Sequence, residues 1–288
     1  MKKLLYHFDT DPIPSVFDSV VAYDGGADRV TQLGGIHENN CASLVEGAIY
    51  TRAPKHKRNT AIFIGGSNLV SGQSLFRAVQ SHFFQDFRVS VMLDSNGCNT
   101  TAAAGVTLLN QATSLAGKIA VVLAGTGPVG QRAAVMLAQS GAQVRLTSRK
   151  KSRSEQACDD MGKQFGVRLV PVEASDHDST RAALKGAQIV FGAGKAGVRL
   201  LDASQWQQHD SIEILADVST AEPLGFEGIS MNDRDTERFG KRIFGGLGIG
   251  ALKLKLHRAC IDRLFTSNDQ VLDADAIYGI AQQMAGSQ

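Results

Sequence analysis

The most specific chemical pattern in the sequence is the turn Gly125–Gly130, which reads Gly-Thr-Gly-Pro-Val-Gly. The apolar segment Ile119–Ala124 precedes it, a helical pattern over Gln131–Gln139 follows it, and Ala142–Thr147 predicts a second strand. In such a unit the first glycine permits a tight turn, the second lets the backbone approach a pyrophosphate, and the third lets helix and strand pack closely. The turn therefore predicts a dinucleotide site at the start of the helix, the alternative being a turn without a ligand. The predicted binding residues of this turn are Gly125, Thr126, Gly127, Pro128, Val129 and Gly130.

The residues after the second strand predict which dinucleotide binds. NAD sites place an Asp or Glu about 20 residues after the glycines, where it binds the ribose 2′-hydroxyl. This sequence has Ser148-Arg149-Lys150-Lys151 there, with no acid. A hydroxyl and cations attract a 2′-phosphate, whereas a carboxylate repels it. We therefore predict NADP, with Ser148 and Arg149 at the 2′-phosphate and Lys150 or Lys151 adding charge; a solvated basic loop is the alternative.

Two further segments follow predicted strands, and open α/β sheets bind ligands at the carboxyl ends of their strands. The glycine-rich loop Phe191–Gly197 is expected near the nicotinamide half of the cofactor, with Ala193 and Gly194 as binding residues. Asp217 ends another apolar strand, and it either faces a ligand or caps the next element.

A polar segment, Asp94–Thr101, lies where a predicted strand gives way to a helix. Asn99 or Thr100 alone could cap that helix. A cap does not explain eight consecutive polar or small residues, so this segment predicts a ligand loop.

A third segment, Gly245–Arg258, joins four glycines to an apolar stretch that carries Lys253 and Lys255. On a helix these two lysines lie about 200° apart, so they cannot both face one groove. We expect one of them to point to a ligand and the other to solvent.

These segments need a scaffold that brings several strand ends together. Short apolar runs alternate with helical patterns along the chain, which predicts an α/β fold with a mostly parallel sheet. The predicted strands are 3–8, 61–64, 88–93, 119–124, 142–147, 168–172, 188–191 and 212–216, and the predicted helices are 15–23, 71–82, 100–111, 131–139, 251–265 and 274–284.

Composition excludes several classes of protein. Hydrophobic residues make up 43% of the 288 residues, enough to bury a core, so a disordered chain is excluded. Lys plus Arg is 30 against 28 for Asp plus Glu, so no overall basic field favours nucleic acid or an anionic membrane. Four widely spaced cysteines predict buried thiols rather than a metal centre or a disulfide framework. The first apolar run breaks at His7, and no stretch approaches the roughly 20 apolar residues of a membrane span, so we expect a cytoplasmic protein.

Several strings resemble one family, the bacterial NADP-dependent methylene-tetrahydromethanopterin dehydrogenases of one-carbon metabolism. The resemblance runs essentially from end to end of the chain. The strings that carry it are Phe8–Asp11, Pro14–Asp18, Tyr23–Asp28, Asp94–Thr101, the Gly125–Gly130 turn and Gly248–Arg258.

The resemblance implies two domains with a cleft between them. It implies an N-terminal α/β domain for the pterin over 1–112, a Rossmann-type NADP domain over 113–250, and C-terminal helices over 251–288 that pack back on the first domain. It also implies a homo-oligomer, most simply a trimer, and direct hydride transfer from the methylene-pterin, with methylene-tetrahydrofolate as a second substrate to be tested.

Site roles follow from the same resemblance. Lys255, with Lys253 second, is expected in the pterin cleft as the catalytic lysine. Asp18 and Asp94 are expected to accept hydrogen bonds from the pterin's donor groups, because carboxylates accept paired N–H bonds. The remaining polar lining is expected from Asn96, Asn99 and Thr100, although a surface carboxylate or a helix cap is the alternative for each of these acids and polar residues.

Two other functions stay open on the sequence. One is an NADP-dependent reductase of another small polar substrate on the same plan, with a lysine and Asp94 as an acid–base pair. The other is a non-catalytic NADP sensor. Folate-class bifunctional enzymes carry a Tyr-x-x-x-Lys cyclohydrolase pattern, and no tyrosine here has lysine at the fourth place, so cyclohydrolase activity is predicted to be absent.

Overall fold

The computed structural model describes residues 1–286 and divides into two compact units. Unit 1 comprises Met1–Thr100 together with residues 254–286, and unit 2 comprises Thr101–Lys253. The boundaries fall inside two helices, α4 (Cys98–Ala112) and α9 (Gly246–Arg263). Each unit is built on a largely parallel sheet, so the predicted α/β fold class is confirmed.

Unit 1 contains a five-stranded sheet in which every pairing is parallel. Its strands are β1 (Leu4–Asp9), β2 (Arg29–Leu33), β3 (Thr60–Gly65), β4 (Ser90–Leu93) and β12 (Val271–Leu272), in the spatial order β12-β4-β3-β1-β2. Its other helices are α1 (Val16–Asp24), α2 (Ala42–Tyr50), α3 (Leu69–Ser81) and α10 (Ala274–Gly286), with short 3₁₀ turns at 54–59 and 95–97.

The two faces of this sheet differ in chemistry because successive strand residues point to opposite sides. One face is apolar, with Phe8, Ile62 and Ile64 in a core that also includes residues of α2 and α3. On the other side of β1, His7 and Asp9 are buried towards the carboxyl end of the strand. Polar groups therefore collect at the edge where parallel sheets bind ligands.

Unit 2 contains a seven-stranded sheet that is parallel except for one edge hairpin. Its strands are β5 (Ile119–Leu123), β6 (Gln143–Ser148), β7 (Leu169–Glu173), β8 (Ile189–Gly192), β9 (Ile214–Asp217), β10 (Arg234–Arg238) and β11 (Lys241–Phe244). Its helices are α5 (Pro128–Gln139), α6 (Lys151–Phe165), α7 (His177–Leu184) and α8 (Ala203–Trp206). The order β10-β11-β9-β8-β5-β6-β7 reverses direction between β5 and β8, the point at which dinucleotides bind in doubly wound sheets.

Several elements escape prediction because their patterns are weak. The polar sequence of α6 buries Ser154, Ala157, Cys158 and Met161, a stripe at helical spacing whose members are mostly small. No large apolar residues mark that stripe, so the helix is not visible from hydrophobic periodicity. The other elements absent from the predicted set are α2, α7, α8, β2, β10, β11 and β12.

The predicted start of α9 is wrong. The helix begins at Gly246, not near residue 251, so the glycine-rich stretch is its first turn. A Cβ on Gly246 would lie 2.3 Å from the carbonyl oxygen of Ser219, and one on Gly248 would lie 2.1 Å from that of Asp233. These glycines therefore allow the helix to pack directly against neighbouring backbone.

Within residues 1–286 no helix is both long and apolar enough to cross a lipid bilayer.

Candidate active site and cofactor cavity

The glycine-rich turn joins β5 to α5 as the sequence predicts. A Cβ on Gly130 would lie 2.7 Å from the Cα of Gly125, and a Cβ on Gly125 would lie 2.7 Å from Cγ of Leu146, so both glycines are required for packing. A Cβ on Gly127 would have its nearest neighbour 3.9 Å away, so packing in the protein does not explain this glycine. Pro128 is the first residue of α5, where its missing N–H leaves no bond unmade, and the N-cap residue, Gly127, has no side chain with which to cap the helix.

A cavity of about 990 Å³ opens beside this turn, and every residue that lines it belongs to unit 2. Such a volume lies at the upper end of the range for small-molecule and cofactor sites. Of the residues predicted to bind cofactor, Thr126, Ser148, Arg149, Lys150 and Gly194 line it. The others lie outside the lining, namely Gly125, Gly127, Pro128, Val129, Gly130, Lys151 and Ala193.

One end of the cavity is strongly cationic. Arg149 and Lys150 come directly after β6, Arg153 lies in the first turn of α6, and all three side chains are exposed. Lys151, the first residue of α6, is exposed but does not line the cavity. Of the two lysines that the sequence left as alternatives, Lys150 is the one beside the cavity.

An acid, Asp176, also lines the cavity, but its charge is engaged by its own helix. Its carboxylate accepts hydrogen bonds from the amide of Ser179 (2.8 Å) and from the Ser179 hydroxyl (2.6 Å), which caps α7. These bonds hold the pKa of Asp176 below its ordinary value. The carboxylate therefore stays ionised, but the lining holds five lysines and arginines against two acids, so the cavity as a whole still attracts a phosphate.

The loops after β8 and β9 meet beside the cavity. The amide of Val218 donates to the carbonyl of Gly192 (3.1 Å), and Gly194 lines the cavity two residues later. Asp217 is 1% exposed, and its carboxylate accepts hydrogen bonds from the amides of Ser219 (3.2 Å) and Phe226 (3.4 Å). Burial raises the pKa of Asp217 to about 6. Of the two roles that the sequence left open, the contacts favour a bond to its own loop over direct contact with a ligand.

In unit 1 the predicted ligand loop after β4 is held by Asp94. The fully buried carboxylate accepts hydrogen bonds from the amides of Asn99 (2.8 Å) and Thr100 (3.1 Å), and the Thr100 hydroxyl donates to it (2.6 Å). The side-chain amide of Asn99 donates to the carbonyl of Leu93 (2.6 Å). Asp94 therefore caps the first turn of α4, whereas the side chains of Asn99 and Thr100 bond to Leu93 and to Asp94. Contact of these three residues with substrate stays a prediction.

Asn96 differs from its neighbours in this loop. It is exposed and has a positive φ of 54°, a conformation that Asn tolerates better than most residues. The Asp94 network therefore presents Asn96 at the surface in a fixed backbone conformation.

Asp18 lies on α1 and faces the interior of unit 1, at 9% exposure. A Cβ on Gly65 would lie 3.5 Å from Oδ2 of Asp18 and 2.5 Å from Nε2 of His7, so the two side chains share the space beside that glycine. Nε2 of His7 lies 3.3 Å from Oδ2 of Asp9. Burial acts to raise the pKa of Asp9, but bonds from His7 and from backbone amides outweigh it and lower the pKa.

The two candidate catalytic lysines fall in one helix but in different units. Lys253, on α9, is half-buried and ends unit 2, whereas Lys255 is exposed and belongs to unit 1. Which of them meets a ligand stays a prediction.

Comparison with known proteins decides the family. A family described as methylene-tetrahydromethanopterin dehydrogenase, N-terminal, matches residues 16–96, and one described as NAD(P)H-binding matches residues 124–222. Over 286 residues the chain is 53% identical to a protein of Methylorubrum extorquens named "Bifunctional protein MdtA", with 99% of each chain covered. The chain belongs to the methylene-tetrahydromethanopterin dehydrogenase family. The resemblance seen in the sequence is therefore confirmed.

A second relative and the solved structures extend this comparison. This chain is 30% identical over 282 residues to the "NAD(P)-dependent methylenetetrahydromethanopterin dehydrogenase" of M. extorquens. The alignment covers 94% of this chain and 95% of the relative. The chain shares a fold with shikimate dehydrogenase of Mycobacterium tuberculosis (17% identity, TM-score 0.53, 98% and 99% covered). It also shares a fold with quinate dehydrogenase of Corynebacterium glutamicum in complex with NAD (14% identity, TM-score 0.55, 97% and 98% covered).

Part of the cavity wall in this dehydrogenase family member comes from residues that the sequence patterns do not single out. Asp176 and His177 follow β7, and Lys195 and Arg199 follow β8. Their position directly after predicted strands could have indicated them, because every loop after a parallel strand reaches the same sheet edge. His7 and Asp9 lie at the corresponding edge of the sheet in unit 1, and the sequence patterns do not assign a role to either of them.

Asp94→Asn is expected to lower the free energy of unfolding by about 2 kcal/mol. The buried donors of Asn99 and Thr100 now face two carboxylate oxygens, and in the variant one of these oxygens is replaced by an NH₂ group that cannot accept their hydrogen bonds. Urea unfolding measures this change. The matched control is Asp24→Asn, because Asp24 pairs with Arg258 at 2.7 Å while both side chains are 44% exposed. The control substitution should lower the free energy of unfolding by less than about 1 kcal/mol. Equal losses for the two variants would contradict the role assigned to Asp94.

Asp217 predicts a pH-dependent contribution to stability. Its pKa of about 6 in the folded chain exceeds the ordinary 3.8, so the folded state binds the proton more tightly. The stabilisation is complete below the unfolded pKa and is lost as pH rises through about 6. Urea unfolding of Asp217→Asn should therefore show a stability difference from the parent that moves in favour of the variant between about pH 4 and pH 7. Parallel curves for parent and variant would refute this assignment.

Proposed function

We propose that this chain is an oxidoreductase that reversibly dehydrogenates methylene-tetrahydromethanopterin to the methenyl form with NADP, and that methylene-tetrahydrofolate is a second substrate. The observation that carries the proposal is a cofactor-sized cavity with a cationic end beside a dinucleotide turn. Its context is end-to-end kinship with a family named for this reaction.

The residues present fit NADP. Gly127 leaves open the space that a pyrophosphate would need, and no protein packing accounts for that space. Arg149, Lys150 and Arg153 would hold the 2′-phosphate, because guanidinium and ammonium groups bind phosphate strongly. When bound, NADP supplies the nicotinamide ring that accepts the hydride.

The reaction does not require a side chain that acts as a general acid or base. The methylene carbon lies between two nitrogens, whose lone pairs stabilise the cation left when the hydride departs. No side chain has to remove a proton from that carbon. The protein therefore contributes orientation, which alone can supply several kcal/mol of the barrier reduction.

On the substrate side we assign binding to unit 1. Asp18 accepts hydrogen bonds from the pterin's donor groups, and Asn96 adds a polar contact from its exposed turn. Asp94 acts with Asn99 and Thr100 to fix that turn. Lys255, with Lys253 second, orients the substrate, since a cation cannot stabilise the positive charge that develops on it.

The reductase alternative fits less well. It requires Asp94 as half of an acid–base pair, whereas that carboxylate is fully buried and already accepts three hydrogen bonds. Likeness to shikimate dehydrogenase concerns the fold alone, because identity is 17%.

We also propose that the functional domains are 1–112 for the pterin and 113–250 for NADP, with 251–288 belonging to the first.

We further propose that the chain forms a homotrimer. Helix α1 supports self-association. The apolar side chains of Val16, Phe17, Val20 and Tyr23 are 48–74% exposed on it, while Asp18, in its first turn, is buried. A helix that is apolar on its outer face favours coverage by another copy. Light scattering should give three times 30.7 kDa, and a monomer would refute the trimer.

An absorbance assay with purified protein tests the reaction. Formation of the methenyl-pterin and of reduced nicotinamide is followed with methylene-tetrahydromethanopterin or methylene-tetrahydrofolate, each with NADP and NAD. Turnover of the first pterin with a clear preference for NADP is expected. Shikimate serves as the control substrate. Absence of turnover with both pterins would overturn the proposal, and shikimate oxidation would establish the reductase instead.

A further inference from the structure

Asp217 is a buried carboxylate for which the hydride-transfer reaction has no use. It is the last residue of β9, where it pairs with Gly192 at the end of β8. Its oxygens accept hydrogen bonds from the amides of Ser219, Gly225 and Phe226, all in the loop that follows β9. Three amides on one ionised group form a strong anchor, because bonds to a charged acceptor are about twice as strong as neutral ones.

Two glycines make room for this carboxylate. A Cβ on Gly225 would lie 2.7 Å from Oδ1 of Asp217, and a Cβ on Gly192 would lie 3.0 Å from the same oxygen. The backbone therefore closes around the carboxylate from the β8 loop and from the β9 loop.

The anchored loop in turn holds the cavity wall. The carbonyl of Gly225 accepts hydrogen bonds from the amides of Leu200 (2.7 Å) and Leu201 (3.0 Å). Nε of Arg199 donates to the carbonyl of Leu224 (2.8 Å). Arg199 and Leu200 both line the cofactor cavity. A continuous set of hydrogen bonds therefore runs from Asp217 to the wall of the cavity.

The carboxylate is kept at an energetic cost. Burial disfavours its charged form, and Arg199 is the side chain whose charge acts against that effect. A neutral side chain of the same shape would avoid the cost. Groups held against stability in this way concentrate at functional sites.

We propose that Asp217 is a positioning residue of the cofactor site, which fixes the 224–226 segment so that Arg199 and Leu200 form the cavity wall. It touches neither substrate nor cofactor. The proposal rests on the function proposed above for the cavity, and it adds a residue that sets cofactor affinity from outside the lining.

The test compares Asp217→Asn with the full-length parent by calorimetric titration of NADP and by amide hydrogen exchange. In the variant one carboxylate oxygen becomes an NH₂ group, which cannot accept a hydrogen bond from the backbone amide that faces it. The loop and the cavity wall should therefore be held less firmly, and the Kd for NADP should rise about fivefold to tenfold. Exchange should become faster at Leu200 and Leu201 and in residues 219–226, and stay unchanged elsewhere in unit 2. At neutral pH the new donor lowers the stability while the removal of a buried charge raises it, so the net loss should be smaller than in the Asp233→Asn control, which separates positioning from a general structural role.

Asp233→Asn is the matched control. Asp233 is also buried in unit 2, where it accepts from the amide of Ser230 (2.7 Å) and pairs with Arg238 (2.8 Å), away from the cavity lining. This control should lose stability and keep the parent's Kd. If Asp217→Asn does not fold, Gly225→Ala serves instead, since its Cβ displaces the same carboxylate.

The outcomes separate the two proposals. A Kd within twofold of the parent, or an equal loss of affinity in Asp233→Asn, overturns the role of Asp217. If the parent binds neither NADP nor NAD, the proposed function fails. The exchange experiment still decides the anchor in that case, because unchanged protection at Leu200 and Leu201 overturns it and localised loss supports it.

Discussion

Gly127→Ala is expected to weaken NADP binding by about 10- to 100-fold while leaving the unliganded fold intact. The protein has room for the new methyl group, since its nearest neighbour would be 3.9 Å away, at the carbonyl of Ala124. The methyl group would occupy the space through which a pyrophosphate approaches the backbone at the start of α5. Calorimetric titration of NADP measures the affinity, and thermal unfolding of the protein alone measures the fold.

Gly130→Ala is the contrasting variant. Its Cβ would lie 2.7 Å from the Cα of Gly125 and 2.8 Å from that residue's carbonyl oxygen, both rigid backbone atoms. Overpacking costs about 1–3 kcal/mol, and the better helix propensity of alanine returns up to about 1 kcal/mol. The net loss of unfolding free energy should therefore be about 1–2 kcal/mol. Similar stability losses in the two variants, or undiminished NADP binding by Gly127→Ala, would contradict the roles assigned to the glycines.

Arg149→Ala should separate NADP from NAD. Loss of a charge-assisted bond to the 2′-phosphate should raise the Kd for NADP about 10- to 100-fold and leave the Kd for NAD unchanged. The exposed position of Arg149 means that salt screens its contribution, so the effect should shrink as ionic strength rises. Titration of both nucleotides at low and high salt gives all these quantities.

Lys151→Ala is the control for this experiment. Lys151 carries the same charge two residues further on, but it does not line the cavity. Its loss should change the NADP affinity about twofold or less, as expected for an exposed charge without a direct contact. An equal effect of the two substitutions would mean that the basic segment acts only through its overall field.

The sequence predicts the dinucleotide turn well because the physics is local. Gly130 is required by contact with the backbone of Gly125, five residues earlier, and Gly125 is required by contact with Leu146 on the next strand of the same β–α–β unit. The basic segment after β6 is predictable for the same reason. By contrast, Asp176 and Arg199 enter the cavity because β7 and β8 lie in one sheet, and strand order is a long-range property.

The polar loop after β4 shows a different limit. Eight polar or small residues suggest a ligand, but Asp94, Asn99 and Thr100 form hydrogen bonds with one another and with the backbone. A buried polar group needs a partner wherever it lies, and composition does not reveal whether that partner is a ligand or the chain itself. Only burial and bond geometry distinguish Asn96 from its neighbours.

The edges of the seven-stranded sheet bear on how this chain avoids fibrous aggregation. At one edge, four of the five residues of β10 are charged, namely Arg234, Asp235, Glu237 and Arg238. At the other edge, β7 carries Pro171, which offers no amide to an incoming strand. Both edges therefore resist the addition of a strand from a neighbouring molecule. We therefore expect copies that meet through this unit to do so by side-chain surfaces, because extension of its sheet is disfavoured at both edges.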